Sequence, residues 1–346
     1  MDSYCTPRHS DVCSFSCLLA AFRKARRAKR GKGGEPAFYL DLEGNLLRLS
    51  QELQDRSYRP DPYRYFSLRT PKNRVVSEAS FRDRIVHHSL VGVLEPEFEA
   101  RFIETSYACR KEKGVHLALK DAQRAARRFP YFLKLDFEKY FDSIRHDVLL
   151  DLLREQIADP GILWLCELLM KEAQVPGVGT AERRGLPIGN LTSQFWANVY
   201  LDPLDHVAQG LPGVKTYLRY MDDLLLLAED KAALWPALDA ISDFAEQKLR
   251  LHLKRNATMV APVTEGIPWL GFRVFPGTVR LKHESKVRFY RKLGASMIAA
   301  SKSPWAERDE VARAASLCGH VAHANTRALR KAVIAGHLSK TDPSPT

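Results

Sequence analysis

Apolar positions along the chain switch between a helical and a strand period. Leu40 to Leu53, Phe81 to Leu94 and Val115 to Arg128 repeat every three to four residues, which predicts amphipathic helices. The same reading predicts helices over 146–158, 160–172, Thr192–Leu201, 232–250 and most of the tail from Glu284. Gly31 to Gly34 and Pro36 break a further helix near the amino terminus. Short strands are predicted at Tyr63–Leu68 and Arg74–Ser77, around Pro71-Lys72-Asn73. FPYFLKLDF (129–137) reads as a strand running into Asp136, and 267–275 as a strand pair. KTYLRYMDDLLLLAED (215–230) reads as a hairpin turning at Met-Asp-Asp, and Gly177–Gly189 as a loop rich in Gly and Arg. The expected fold class is therefore α+β, with a mixed centre and a separate helical end.

Composition narrows the class. With 45% hydrophobic and 27% charged residues the 346-residue chain is an ordinary globular sequence, long enough for two or three domain-sized units. No apolar run reaches the roughly 20 residues of a membrane helix, and the basic run follows the weakly apolar amino-terminal stretch instead of preceding it as in a secretory signal. Six cysteines are too few for a disulfide scaffold and fit a reducing cytoplasm. The net charge of +12 makes nucleic acid the leading partner class. That charge is uneven. FRKARRAKRGK (22–32) carries seven basic groups and no acid, and the stretch from Arg273 onward carries 14 Lys/Arg against five acids. Acids gather at Asp136–Asp151 and Asp222–Asp243. A basic periphery suits phosphates and an acidic centre suits cations. The 22–32 run reads equally well as a solvated helix or arm.

Adjacent carboxylates at Asp222 and Asp223, thrust out by a tight turn, are the sharpest chemical feature. Asp is also a common structural turn residue. Asp136 shifts the balance, because pairing of its strand with the hairpin would bring three carboxylates to one patch. Hard oxygens so arranged suit Mg²⁺, and two such ions serve in-line phosphoryl displacement.

Three blocks, LKLDFEKYFDSI (133–144), GLPIGNLTSQ (185–194) and YMDD (220–223), resemble in order and spacing the palm motifs of reverse transcriptases. KNRVVSEASFRDRIVHHSLVGVLEPEFE (72–99) and SYACRKEKGVHLAL (106–119) resemble the fingers of the group II intron-like bacterial and phage class, and WLGFRVFP (269–276) resembles a primer-gripping hairpin. The resemblance implies a right-hand polymerase: a basic amino-terminal extension over 1–55, fingers and an antiparallel-sheet palm over 56–275, and a helical thumb over 276–346. It implies RNA-templated DNA synthesis with two Mg²⁺ ions, Mn²⁺ serving as a substitute. Asp136, Asp222 and Asp223 would be the catalytic metal ligands, with the Phe137 carbonyl. Arg74, Phe141, Ile188 and Gly189 would meet the dNTP, Phe141 as the gate against a ribose 2′-hydroxyl. Arg110, Gln194, Tyr220, Trp269 and Gly271 would meet template or primer. Lys72 and Arg84 are weaker candidates.

Ile188 stands where most such enzymes carry Gln, and Ser193-Gln194 where intron and retron enzymes read Ser-Pro. This form resembles diversity-generating retroelement enzymes, which copy RNA with errors at adenines and work with a small basic helical-bundle protein. A phage-defence or retron-like enzyme is the alternative, and a non-catalytic RNA-binding scaffold the competitor from another class. Ala257 occupies the place where the family has a Lys general acid, so that role is left unassigned beside Lys254 and Arg255. On this resemblance no length is expected beyond the thumb for an RNase H or endonuclease domain. Cys5, Cys13 and Cys17 with His9 match no usual zinc spacing, His87 and His88 read as structural, and His320 and His323 share a helix face without visible metal partners.

Overall fold

Helices α1 (His9–Cys13), α2 (Phe15–Arg26), α3 (Glu35–Leu40) and α4 (Leu42–Gln54) open the computed structural model, which describes residues 6–27, 30–68, 74–172, 183–302 and 304–341, with side chains except at 300–308 and 335–341. Ser14 and Asp41 cap α2 and α4, their side chains accepting the N–H groups of Cys17 and Gly44. Leu18 and Phe22 on α2 and Leu46, Leu49 and Leu53 on α4 are buried in the main core. The segment read as an extension is thus folded onto the body, while Arg23 and Lys24 stay exposed.

An antiparallel hairpin of β1 (Arg64–Leu68) and β2 (Arg74–Glu78) follows, then α5 (Phe81–Glu99), capped by the Ser80 hydroxyl on the Asp83 N–H. Lys72 lies outside the described residues. In α6 (Val115–Arg128), Ala118, Leu119, Ala122, Ala125 and Ala126 are buried; the four alanines let the helix lie close to its neighbours. Next come β3 (Tyr131–Leu135), α7 (Tyr140–Ser143), α8 (His146–Arg154), α9 (Pro160–Glu172) and α10 (Leu191–Gln209). The hairpin β4 (Thr216–Tyr220) and β5 (Asp223–Ala228), α11 (Leu234–Leu249) and β6 (Met259–Pro262) complete the centre. A meander of β7 (Ile267–Trp269), β8 (Phe272–Val274) and β9 (Val279–Leu281) leads into α12 (His283–Lys302), α13 (Pro304–Val321) and α14 (Arg327–Thr341).

The central sheet has the order β4–β5–β3–β6, with every pairing antiparallel. Both of its faces are covered. Leu133, Leu135, Leu224 and Leu226 belong to the main core, whereas Phe132, Leu225, Leu227 and Ala261 pack in a second core with α6 and the β7–β9 meander. This double coverage explains the unbroken apolar run of β5. The terminal helices close a third, small core around Phe289, Leu293, Val321 and Val333.

Two predicted helices run longer than their sequence pattern. α5 continues through Pro96 and α10 through Pro203, each losing a backbone hydrogen bond that buried Phe98 and Leu204 offset. β6 is absent from the sequence-based expectation, because four residues without alternation give no strand signal until β3 supplies the partner edge. Among the described residues no helix is long and apolar enough to cross a membrane.

Candidate active site

The β4–β5 ladder closes at Tyr220 opposite Asp223, leaving Met221 and Asp222 as the turn. Met221 adopts φ 56°, a left-handed backbone that costs a non-glycine residue about 1 kcal/mol or more. β3 pairs with β5 as far as Leu135 opposite Leu224. One further step along that register sets Asp136 beside Asp223. The segment after α11 fixes this end of β3: the Lys254 N–H donates to the Asp136 carbonyl at 2.8 Å and the Glu138 N–H to the His252 carbonyl at 2.9 Å. Phe137 is buried between them and bridges Leu253.

The acids act on one another electrostatically. Burial, then the neighbouring charges of Asp136 and Asp223, push the Asp222 carboxyl up to about 6, with Arg74 pulling it the other way. Arg74 is exposed at the start of β2, so the fingers-like hairpin contributes a cation to the same field. Asp223 faces Lys134, whose ammonium lies 2.6 Å from its Oδ1. The sequence reading missed Lys134, although strand alternation sets it on the same side of β3 as Asp136. Lys282, just after β9, is also drawn into this group: burial and Lys134 lower its proton affinity while Asp223 raises it. Among the described residues no three acidic, histidine or cysteine side chains close into a preformed metal cage. The donor set still fits Mg²⁺, which is usually held by one or two carboxylates with substrate phosphates completing the shell.

Residues 183–190 form a loop stitched to the α7 segment and to β2. The Gly185 N–H donates to the Ile144 carbonyl at 2.8 Å, and the Leu186 N–H to the Phe141 carbonyl at 2.8 Å. The Ser77 N–H of β2 donates to the Ile188 carbonyl at 2.8 Å. Gly189 has φ +117°, and a Cβ there would meet Val76 Cγ1 at 2.8 Å and the Ser77 carbonyl at 2.9 Å. Only glycine fits this seam. Phe141 is half-buried and meets Tyr140 edge-on at 5.6 Å, leaving part of its surface open. Gln194 is half-buried in the first turn of α10, and Tyr220 is half-buried beside the turn. Leu270 and Gly271 form the left-handed tip of the β7–β8 hairpin, with φ 49° and 87°.

Arg110 and Trp269 are placed differently from the expectation that they meet template or primer. The Arg110 guanidinium is turned inward, its Nε and Nη2 on Glu99 at 2.9 and 2.8 Å and its Nη1 on the Ile103 and Ser106 carbonyls. Trp269 is fully buried in the second core, because β7 alternation points it inward and only the adjoining tip outward. His87 is buried and pushed down to about 3, which fits a neutral structural role. Cys13 is buried 3.5 Å from a His9 ring nitrogen, its thiol pushed up to about 12; Cys5 lies outside the described residues.

The chain matches the family model described as Reverse transcriptase (RNA-dependent DNA polymerase) over residues 64–274. It is 26% identical to Protein YkfC of Escherichia coli (strain K12) over 276 residues, 68% of this chain and 72% of that protein. It is 28% identical to the Group II intron-encoded protein LtrA of Lactococcus lactis subsp. cremoris over 167 residues, 47% of this chain but 28% of that one. In fold it resembles apo telomerase from Candida Tropicalis, truncated from its C-terminal domain, with TM-score 0.50 at 12% identity, over 67% of this chain and 59% of that chain. With the family match extending over more than half of its residues, this chain has the right-hand polymerase fold and belongs to the reverse transcriptase (RNA-dependent DNA polymerase) family.

Proposed function

We propose that the chain performs RNA-templated DNA synthesis by two-metal nucleotidyl transfer. The observation that carries this reading is the desolvated Asp222 carboxyl, held by a strained turn beside Asp136 and Asp223 and facing Arg74. Asp136 and Asp222, with the Phe137 carbonyl, would hold Mg²⁺, and Mn²⁺ in its place. When bound, the two ions lower the pKa of the primer 3′-hydroxyl and neutralise charge on the leaving pyrophosphate. Asp223 contributes less to the metals, since Lys134 already pairs it.

Arg74 presents its guanidinium fork to the dNTP triphosphate. The open part of the Phe141 ring excludes a ribose 2′-hydroxyl. Ile188 and Gly189, held against β2, shape the other wall of the nucleotide site, and Gln194, Tyr220 and the Leu270–Gly271 tip face template and primer. The basic carboxy-terminal segment, residues 276–346, acts through helices α12 to α14 as a thumb on the duplex, with strong salt dependence.

Ile188 cannot supply a polar check on the new base pair. A hydrogen bond of this kind is worth about 1–3 kcal/mol, or tenfold to a hundredfold in discrimination. This supports an error-prone enzyme of the diversity-generating type, acting with a small basic helical-bundle partner on a structured template RNA. Primer extension on an RNA template with Mg²⁺ tests the reading. Wild type should extend, Asp136→Asn and Asp222→Asn should not, and Asp223→Asn should be impaired less. Failure of wild type on every RNA template, with and without candidate partner proteins, refutes it.

A further inference from the structure

Arg219, next to last in β4, lies two residues before the left-handed Met221. It is fully buried against α10, as is its partner Asp205. Its Nε donates to Asp205 Oδ1 and Oδ2 at 2.7 and 2.9 Å, and its Nη2 to Oδ2 at 2.6 Å. The remaining arm of the fork, Nη1, donates to Asn198 Oδ1 at 2.9 Å and to the Met221 carbonyl at 3.3 Å. Both helix residues are themselves anchored. Asp205 accepts the Tyr217 hydroxyl at 2.7 Å, and Asn198 donates to the Ala108 carbonyl at 2.8 Å. The Arg219 backbone is clamped as well, its N–H on the Thr105 carbonyl and its carbonyl accepting the Tyr107 N–H.

A buried Arg–Asp pair is a weak device for stability, since well-packed apolar residues of similar volume do as well or better. Asp205 neutralises the guanidinium, and the charges that act most on Asp222 are Asp136, Asp223 and Arg74. What this pair supplies and an apolar pair could not is a fixed donor aimed at the carbonyl of the strained turn residue. We infer that Arg219 is a positioning residue: oriented by Asp205 and Asn198, it locks the Met221 carbonyl and so holds Asp222 where it binds metal. This rests on the metal reading of the aspartates given above.

The test uses the full chain as Arg219→Met, Arg219→Met/Asp205→Asn and Arg219→Lys. Three properties are read: melting temperature, Mn²⁺ binding by water-proton relaxation, and the Mg²⁺ concentration for half-maximal primer extension. Arg219→Met alone should melt low, because it strands a buried carboxylate. The double variant removes both charges, keeps an acceptor for Tyr217, and should regain most of the melting temperature. Its Mn²⁺ affinity should still fall about tenfold and its Mg²⁺ requirement rise about tenfold, the loss of one hydrogen bond. Arg219→Lys, which keeps the charge but not the fork, should show the same metal defect. Wild-type metal binding in a stable double variant, or in Arg219→Lys, overturns the inference. If the double variant does not fold, the Lys variant decides. Wild type that binds Mn²⁺ but extends no primer would count against the polymerase reading alone, leaving the positioning claim to be judged on Mn²⁺ binding.

Discussion

Replacing Asp222 by Asn removes a charge that the fold holds at a cost. Its carboxyl is pushed from 3.8 to about 6, first by burial and then by Asp136 and Asp223. For an acid, a raised folded-state pKa means that ionisation destabilises the fold. The penalty is absent below pH 3.8, where both states are protonated, grows as pH rises toward 6, and is complete above it. A shift of roughly two units corresponds to about 3 kcal/mol at pH 8 and about half of that at pH 5. Neutral, nearly isosteric Asn escapes the penalty.

The variant should therefore be inactive and yet more stable than wild type in metal-free buffer. At roughly 2 °C per kcal/mol for a chain of this size, the gain at pH 8 with EDTA is several degrees, shrinking at pH 5. Added Mg²⁺ should raise the wild-type melting temperature and not that of the variant. Thermal melts across this pH range, with and without metal, make the comparison. Equal or lower melting of the variant at pH 8, or a gain that does not shrink with acid, would refute the argument that the three carboxylates repel in a desolvated site.

Gly189→Ala forces a Cβ into Val76 and the Ser77 carbonyl at positive φ, a strain of about 1–3 kcal/mol. It should raise the KM for dNTP in primer extension, and Val76→Ala should partly restore it. Arg110→Ala leaves Glu99 and two carbonyls without their donor and should lower stability by about 1–3 kcal/mol in denaturant melts, with template affinity of the folded protein unchanged. Ile188→Gln should reduce misincorporation opposite template adenine, read by sequencing the products; an unchanged error rate removes Ile188 from the account of fidelity.

Several features of the site were legible because they are local. The aromatic strand running into Asp136 and the apolar runs on either side of Met221-Asp222 announce carboxylates at strand ends, since a two-residue period and a turn need no distant partner. The helical faces of α6 and α11 were readable on the same ground. Lys134 was half-legible: alternation gives its side of the strand, but only the β3–β5 register sets it against Asp223. Arg110 was expected to meet template or primer, and Arg219 carried no expectation. Nothing in their neighbourhoods tells that Glu99 or Asp205 lies within reach.

The sequence by itself determined most of the element types, the carboxylates at the strand ends and, through the order of its motifs, the family. Tertiary structure decided which strand lies between which, that β6 exists, that the amino-terminal helices join the main core, and which cations turn inward. The division follows from physics. Periodicity and turn chemistry act over a few residues, whereas burial and charge pairing join groups far apart in the chain, as Glu99 joins Arg110 and Asp205 joins Arg219.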